Sequence, residues 1–157
     1  MGAFRADGTF VESVGERGSG PGQLLGPSGV TLTPQRQLYV ADHGNRRVLH
    51  FDWQHSPARF VRTLGSGALV GPSDVVVDST GFIYVVDWVG GEIVKLHDDG
   101  REVLRWRGSG GEPQQPPILF AAVVDGTTLH LTDMINGRVQ TYERSGNLLQ
   151  ECVRRER

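Results

Sequence analysis

Apolar positions along this chain come in short runs, each closed by Gly, Pro, Asn, Asp or Ser. Val75-Val76-Val77 and Ile83-Tyr84-Val85-Val86 are continuously apolar, the pattern of strands covered on both faces. Runs this short, rich in Val, Ile, Leu, Tyr and Phe, predict β-strands rather than helices. Ser79-Thr80-Gly81 and Asp125-Gly126-Thr127 separate consecutive runs as hairpin turns would.

The runs recur with a period of about 45 residues. Gly26-Pro27-Ser28-Gly29-Val30 returns as Gly71-Pro72-Ser73-Asp74-Val75. Leu38-Tyr39-Val40-Ala41-Asp42 returns as Ile83-Tyr84-Val85-Val86-Asp87 and again as Leu129-His130-Leu131-Thr132-Asp133. A third column reads Arg47-Val48-Leu49-His50-Phe51, Glu92-Ile93-Val94-Lys95-Leu96 and Arg138-Val139-Gln140-Thr141-Tyr142. A fourth includes Phe60–Leu64, Val103–Arg107 and Leu148–Val153, with a further copy ahead of the first unit at Phe10–Val14. Gly-Ser-Gly linkers at 18–20, 65–67 and 108–110 keep the same phase. Four short strands per unit of about 40–45 residues is the signature of a propeller blade.

Val40-Ala41-Asp42-His43-Gly44-Asn45-Arg46-Arg47-Val48-Leu49-His50-Phe51-Asp52 resembles the core of an NHL repeat, and the resemblance extends over essentially the whole chain as three repeats. The second repeat replaces the turn's Asn and Arg by Gly90 and Glu92, and the third has the degenerate lead-in Gln115-Pro116-Pro117-Ile118. The implied architecture is all-β, a single NHL-repeat domain over residues 1–157. It comprises three four-stranded NHL-type β-propeller blades, at about 26–64, 71–107 and 117–153, plus a leading outer strand at about 9–15. Propellers of this family have about six blades, so three form half of a six-bladed ring. The terminal units remain apolar, unlike the polar caps of a solenoid. A homodimer closing the ring with twofold symmetry is therefore expected, the alternative being a fragment of a longer propeller. The leading and trailing outer strands would then compete for one place at the edge of the third blade.

Glycine, 22 of 157 residues, reinforces the turn-rich reading. The net charge of −2 provides no basic field for nucleic acid or membranes, although Lys95 is the one lysine among 16 basic residues. Cys152 is the sole cysteine. The first residues have no apolar signal-peptide core, and no apolar run would cross a bilayer, so a cytoplasmic location without membrane contact is expected.

Three recurring features read as structural. Asp42, Asp87 and Asp133 end every second strand, where a carboxylate can accept from the backbone of its own hairpin, with Arg47 and Arg138 adding a charge pair. In the second unit Glu92 faces Asp87, which predicts a looser turn. None of His43, His50, His55, His97 and His130 falls on the channel-lining strands, where related propeller lyases place metal-ligating histidines, so no metal or other cofactor is expected. The Gly-Ser-Gly linkers lack phosphate-loop spacing. Trp53 and Trp106 lie in or beside outer strands and read as packing between blades.

Surface chemistry remains. Linkers and second-to-third-strand turns share one rim of a propeller, which gathers Arg17, His43, Arg46, Trp88, Arg107 and Met134. The opposite rim gathers Asp52, Asp78, Asp98, Asp99, Asp125 and Glu143. The resemblance implies a non-enzymatic scaffold that recognises a protein partner through the first rim, as the substrate-recruiting part of a ubiquitin-ligase-like protein. The alternatives are a single-stranded RNA-binding module, where Arg and Trp stack on bases, and a propeller lyase or lactone hydrolase.

Overall fold

Hydrophobic residues on alternate and continuous positions fold into three antiparallel four-stranded sheets, as seen in a computed structural model describing residues 1–109 and 118–153. Gly110 of the third linker and Gln115-Pro116-Pro117 of the third lead-in lie outside the described residues. The first sheet holds β3 (Pro27–Leu32), β4 (Gln37–Asp42), β5 (Arg47–Asp52) and β6 (Arg59–Leu64). The second holds β7 (Pro72–Val77), β8 (Ile83–Asp87), β9 (Glu92–Leu96) and β10 (Glu102–Arg107), and the third β11 (Leu119–Asp125), β12 (Thr128–Asp133), β13 (Arg138–Glu143) and β14 (Leu148–Val153). Spatial order equals chain order in each sheet. These are β-propeller blades, blades one to three, with β3, β7 and β11 neighbouring one another as inner strands.

Apolar side chains from facing blades form the core. Tyr39, Ala41, Val48, Leu64 and Leu69 of blade one and the linker after it meet Val75, Ile83, Val85, Val94 and Leu96 of blade two. Val76, Tyr84, Val86 and Ile93 meet Leu119, Ala122, Leu129, Leu131 and Tyr142 of blade three. Burying such a side chain fully stabilises by about 1.5–3 kcal/mol, which makes the blade faces the main source of stability. Trp106 sits between Tyr84 and Tyr142, at ring separations of 6.4 and 6.1 Å, as its outer-strand position predicts.

The Gly-Pro-Ser repeat fastens blade to blade. Ser28 Oγ donates to the Pro72 carbonyl (3.0 Å), and Ser73 Oγ donates to that of Phe120 (2.8 Å). Gly29 makes the first crossing possible, since a Cβ there would lie 2.6 Å from Asp74 Cα and 2.7 Å from the Ser73 carbonyl oxygen.

Two expectations need correction. The leading outer strand does not stand alone, and within the chain β14 holds the edge of blade three beside β13. Residues Phe10–Ser13 (β2) instead pair with Gly2–Phe4 (β1) in a separate hairpin. The third blade's far face is also less apolar than expected, although Val123 and Val139 remain exposed on it. The row Tyr84–Lys95–Leu104 of blade two becomes His130–Thr141–Gln150 in blade three, and Val86–Ile93–Trp106 becomes Thr132–Val139–Cys152. His130 Nδ1 and Thr141 Oγ1 satisfy each other at 2.9 Å, and Thr132, Gln150 and Cys152 are exposed. This face is therefore mixed, with polar side chains at most of the positions that are apolar in blade two.

Candidate functional site

Each second strand hands its chain to the third through a tight turn on one rim, and the turn is tied to the lead-in of its own blade. The amides of Gly44, Trp88 and Met134 donate to the carbonyls of Leu25, Gly71 and Ile118 at 2.8, 3.1 and 3.0 Å. The buried aspartates complete the tie. Asp42 accepts from the Leu25 amide (2.6 Å), Asp87 from Val70 and Gly71 (2.6 and 2.8 Å), and Asp133 from Ile118 (3.2 Å). Their principal backbone partners are thus lead-in amides rather than amides of their own turn. The expected charge pairs form, Arg47 Nε to Asp42 at 2.9 Å and Arg138 Nε to Asp133 at 2.8 Å. Burial pushes Asp133 up, but hydrogen bonds from Arg138 and Asn136 outweigh it and hold its pKa below the usual carboxylate range.

Arg47 and Arg138 also reach the linkers. Arg47 donates to the carbonyls of Ser19, Gly20 and Gln23, and Arg138 to that of Ser109. In blade two the charges exchange strands. Glu92 stands where Arg138 stands, and Arg105 of the outer strand pairs with it at 2.6 Å while donating to the linker carbonyl of Ala68 at 2.9 Å. The turn is therefore anchored rather than loose. Hydrogen bonds from Arg105, with those from Arg107, depress the Glu92 pKa despite partial burial.

The rim residues fall into groups. Trp88 and His43 meet across blades one and two, with ring centroids 6.0 Å apart. His43 Nδ1 lies 3.4 Å from Trp88 Nε1 and 3.3 Å from the Pro72 carbonyl, so that nitrogen accepts from the indole or donates to the carbonyl, not both. Both rings are half-buried, leaving Trp88 partly packed and partly available. Met134 is 59% exposed at the equivalent turn of blade three. Arg17, Arg46 and Arg107 are exposed, and Arg107 pairs with Glu92 at 3.3 Å. Sequence reading overlooked Val70, Val89 and Ile135, which stand beside these residues with large exposed apolar side chains. The available signal was an apolar residue in Val89 and Ile135 at the position Gly44 holds in the first turn.

The opposite rim is less acidic than its aspartates suggest. Asp78 is buried, not a surface acid: it accepts from Thr80, Phe82 and the Tyr84 hydroxyl and lies 3.4 Å from Arg144 Nε. Arg36 and Arg101 occupy turns among the remaining carboxylates. His97 lies 2.6 Å from Asp98 and 3.6 Å from Asp99 in an exposed turn, the one close grouping of histidine and carboxylates among the described residues. His50 is buried, stacked on Tyr39 at 4.5 Å, with Nε2 against Gln37 Oε1 at 2.7 Å. Among the described residues no helix is long and apolar enough to cross a membrane.

No curated protein matches the chain significantly. Solved structures share the fold. The virginiamycin B lyase of Staphylococcus aureus, in a catalytically inactive form with quinupristin, aligns with a TM-score of 0.70 at 15% identity, over 99% of this chain and 49% of that one. A functionally unknown protein of Desulfotomaculum acetoxidans aligns at 0.67 and 19% identity, over 96% and 49%. A chain of a nidogen/laminin complex aligns at 0.66 and 19%, over 83% and 48%. The chain thus spans about half the length of the structures it matches. Residues 24–51, from the end of the first linker to Phe51 in β5, match the NHL repeat model, and the three blades that recur at that unit's spacing make the chain a β-propeller arc.

Proposed function

We propose that this chain is a non-enzymatic binding scaffold whose linker-side rim recognises an extended protein segment. The observation that carries the reading is the run of exposed apolar side chains Val70, Val89, Met134 and Ile135 beside the half-buried Trp88. Large apolar residues on tightly hydrogen-bonded turns cost solvation with no gain in packing, and such patches mark contact surfaces. Arg17, Arg46 and Arg107 flank the patch with groups suited to carboxylates and backbone carbonyls, and His43 orients Trp88. Recruitment of substrates for ubiquitin ligation is one use of such a scaffold. The rim is complete only in a closed ring, through a second copy or through further blades. Single-stranded RNA fits less well, because Trp88 is partly buried and lies against His43, and the net charge is −2.

A library of displayed 12-residue peptides selected on the chain tests this. Selected peptides should lose binding at least tenfold to the Val89→Asp/Met134→Asp double variant and keep it with Asp125→Ala on the other rim. Peptides indifferent to the double variant, or tighter binding of a 12-nucleotide oligouridine with steep salt dependence, would overturn the reading.

A further inference from the structure

The hairpin β1–β2 repeats the outer hairpins of blades two and three bond for bond. Arg5 N–H donates to Thr9 O (2.8 Å) and Gly8 N–H to Arg5 O (2.9 Å). The same pairs recur as His97 to Arg101 and Gly100 to His97, both 2.9 Å, and as Glu143 to Asn147 (2.9 Å) and Gly146 to Glu143 (3.0 Å). Gly8, Gly100 and Gly146 share φ values of 85, 90 and 85°. The ladders agree as well: Ala3 faces Glu12 as Thr141 faces Gln150, with the register shift at the next pair in both. Strands β1 and β2 are therefore the third and fourth strands of a blade ahead of blade one. Among the described residues, only β2 pairs with β1.

What is missing from that blade shows on its neighbour. Val14 and Leu24 pack on Leu38, Val40, Leu49 and Phe51, as Leu64 and Leu69 pack on blade two. Val30 and Leu32 pair with Val40 and Leu38 and share their face, yet they are 53% and 47% exposed. The equivalent of Val30 in blade two, Val75, is fully buried, in the cluster that contains Tyr39 and Ala41 of β4. The cover that blade one lacks is the inner strand pair of the preceding blade.

We propose that the free edge of β1, with the strip Val30–Leu32, is a docking site for an antiparallel pair of β-strands of the repeat's inner type, supplied by polypeptide outside the described residues. The occupant adds main-chain hydrogen bonds to β1 and sets alternate apolar side chains on Val30 and Leu32. It needs a second apolar face too, because Phe4 is 64% exposed where its equivalents Leu96 and Tyr142 are fully buried. A second copy of this chain is a poor occupant. Its inner strands β3, β7 and β11 are already paired within their blades, so it has no free inner strand pair to offer. The proposal stands independently of the rim reading.

Placing a copy of residues 70–93 directly ahead of Gly2 tests it, since Gly2 stands where Val94 stands in blade two. Amide hydrogen exchange within Gly2–Phe4 is followed in the 157-residue chain, in the extended chain, and in a control extended by the same residues in scrambled order. Unchanged slow exchange within Val48–Phe51 and Leu129–Leu131, which the added residues do not duplicate, confirms that the original blades stay folded. The expected result is fast exchange in the parent and scrambled forms and at least about hundredfold slowing in the extended chain. Introducing Val30→Asp and Leu32→Asp should abolish that slowing. Fast exchange in all forms would overturn the proposal. So would slow exchange in the parent chain at twice the monomer mass, which would make a second copy the occupant.

Discussion

Asp42 and Asp87 hold equivalent places, and their surroundings predict unequal costs for the same substitution to Asn. Asp42 is fully buried and divides its oxygens between the Leu25 amide on one side and Asn45 Nδ2 (2.7 Å) and Arg47 Nε (2.9 Å) on the other. In Asp42→Asn the carbonyl oxygen can keep the Leu25 amide. The new NH2 group then faces two donors, and Arg47, with only 11% of its side chain exposed, loses its counter-charge. Breaking a buried pair this way costs about 3–5 kcal/mol. Asp87 is equally buried but accepts from two backbone amides, and no cation pairs with it among the described residues. Asp87→Asn keeps one bond and orphans one amide, a cost of about 1–3 kcal/mol. The first variant should therefore be less stable than the second by about 2 kcal/mol. At a urea dependence of about 2 kcal/mol per molar, that is a midpoint difference of about 1 M. Urea unfolding followed by tryptophan fluorescence measures it, provided single transitions with equal slopes are seen. Equal midpoints, or a lower one for Asp87→Asn, would show that the aspartates act through backbone capping alone and that the Arg47 pair contributes nothing.

Other outcomes follow from the same geometry. Gly29→Ala should cost about 1–3 kcal/mol, because its Cβ would press on the backbone of Ser73 and Asp74 rather than on a movable side chain; an unchanged thermal midpoint would show that the inner strands can slide apart. Burial lowers the His50 pKa, so the unfolded chain binds its proton more readily, and stability should decline as pH falls below about 6.5. His50→Phe should flatten the midpoint between pH 7 and 5.5. Further acidification should bring a second loss below about pH 4, where Asp133 and Glu92, depressed in the folded state, must be protonated; Asp133→Asn should reduce it. Elemental analysis of the purified chain should find no stoichiometric zinc or calcium, and a tightly held metal would favour an enzymatic function instead.

The strands, their order and the blade period were legible because each position repeats a demand for burial, and the demand is written in residue type. Partners were less legible than elements. The carboxylate of Asp42 sits 17 residues from the lead-in amide it caps, a distance that a reading confined to its own turn does not reach. Glu92 looked like a broken pattern because the column was read down one strand. The pair is kept across strands, Glu92 with Arg105 in blade two and Arg138 with Glu151 in blade three, with the signs exchanged. The charge asymmetry of the rims was overread for a related reason, since counting aspartates by turn cannot tell the buried Asp78 from an exposed Asp125.

The hairpin at Gly2–Ser13 shows why edges are the hardest part of a repeat to read. Gly2-Ala3-Phe4 is too short to register as an apolar run, but the phase of Ala6-Asp7-Gly8 against Asp98-Asp99-Gly100 and Arg144-Ser145-Gly146 already assigns it to a third strand. A repeated sequence states what a position would bury in a complete blade, while exposure depends on whether the neighbouring blade is there. For most of the core the two agree. They part at Val30 and Leu32, which face the leading hairpin's blade, at Phe4 on the opposite face of that hairpin, and at Val123 on the far side of blade three, where Thr132, Thr141 and Gln150 otherwise replace apolar residues. The two ends of the arc are therefore chemically unlike, the far side of blade three being the more polar. Two identical contacts between such unlike ends would set hydroxyls and an amide against valine and leucine, whereas a strand pair of the inner type entering beside β1 would meet Val30 and Leu32 with apolar side chains of its own.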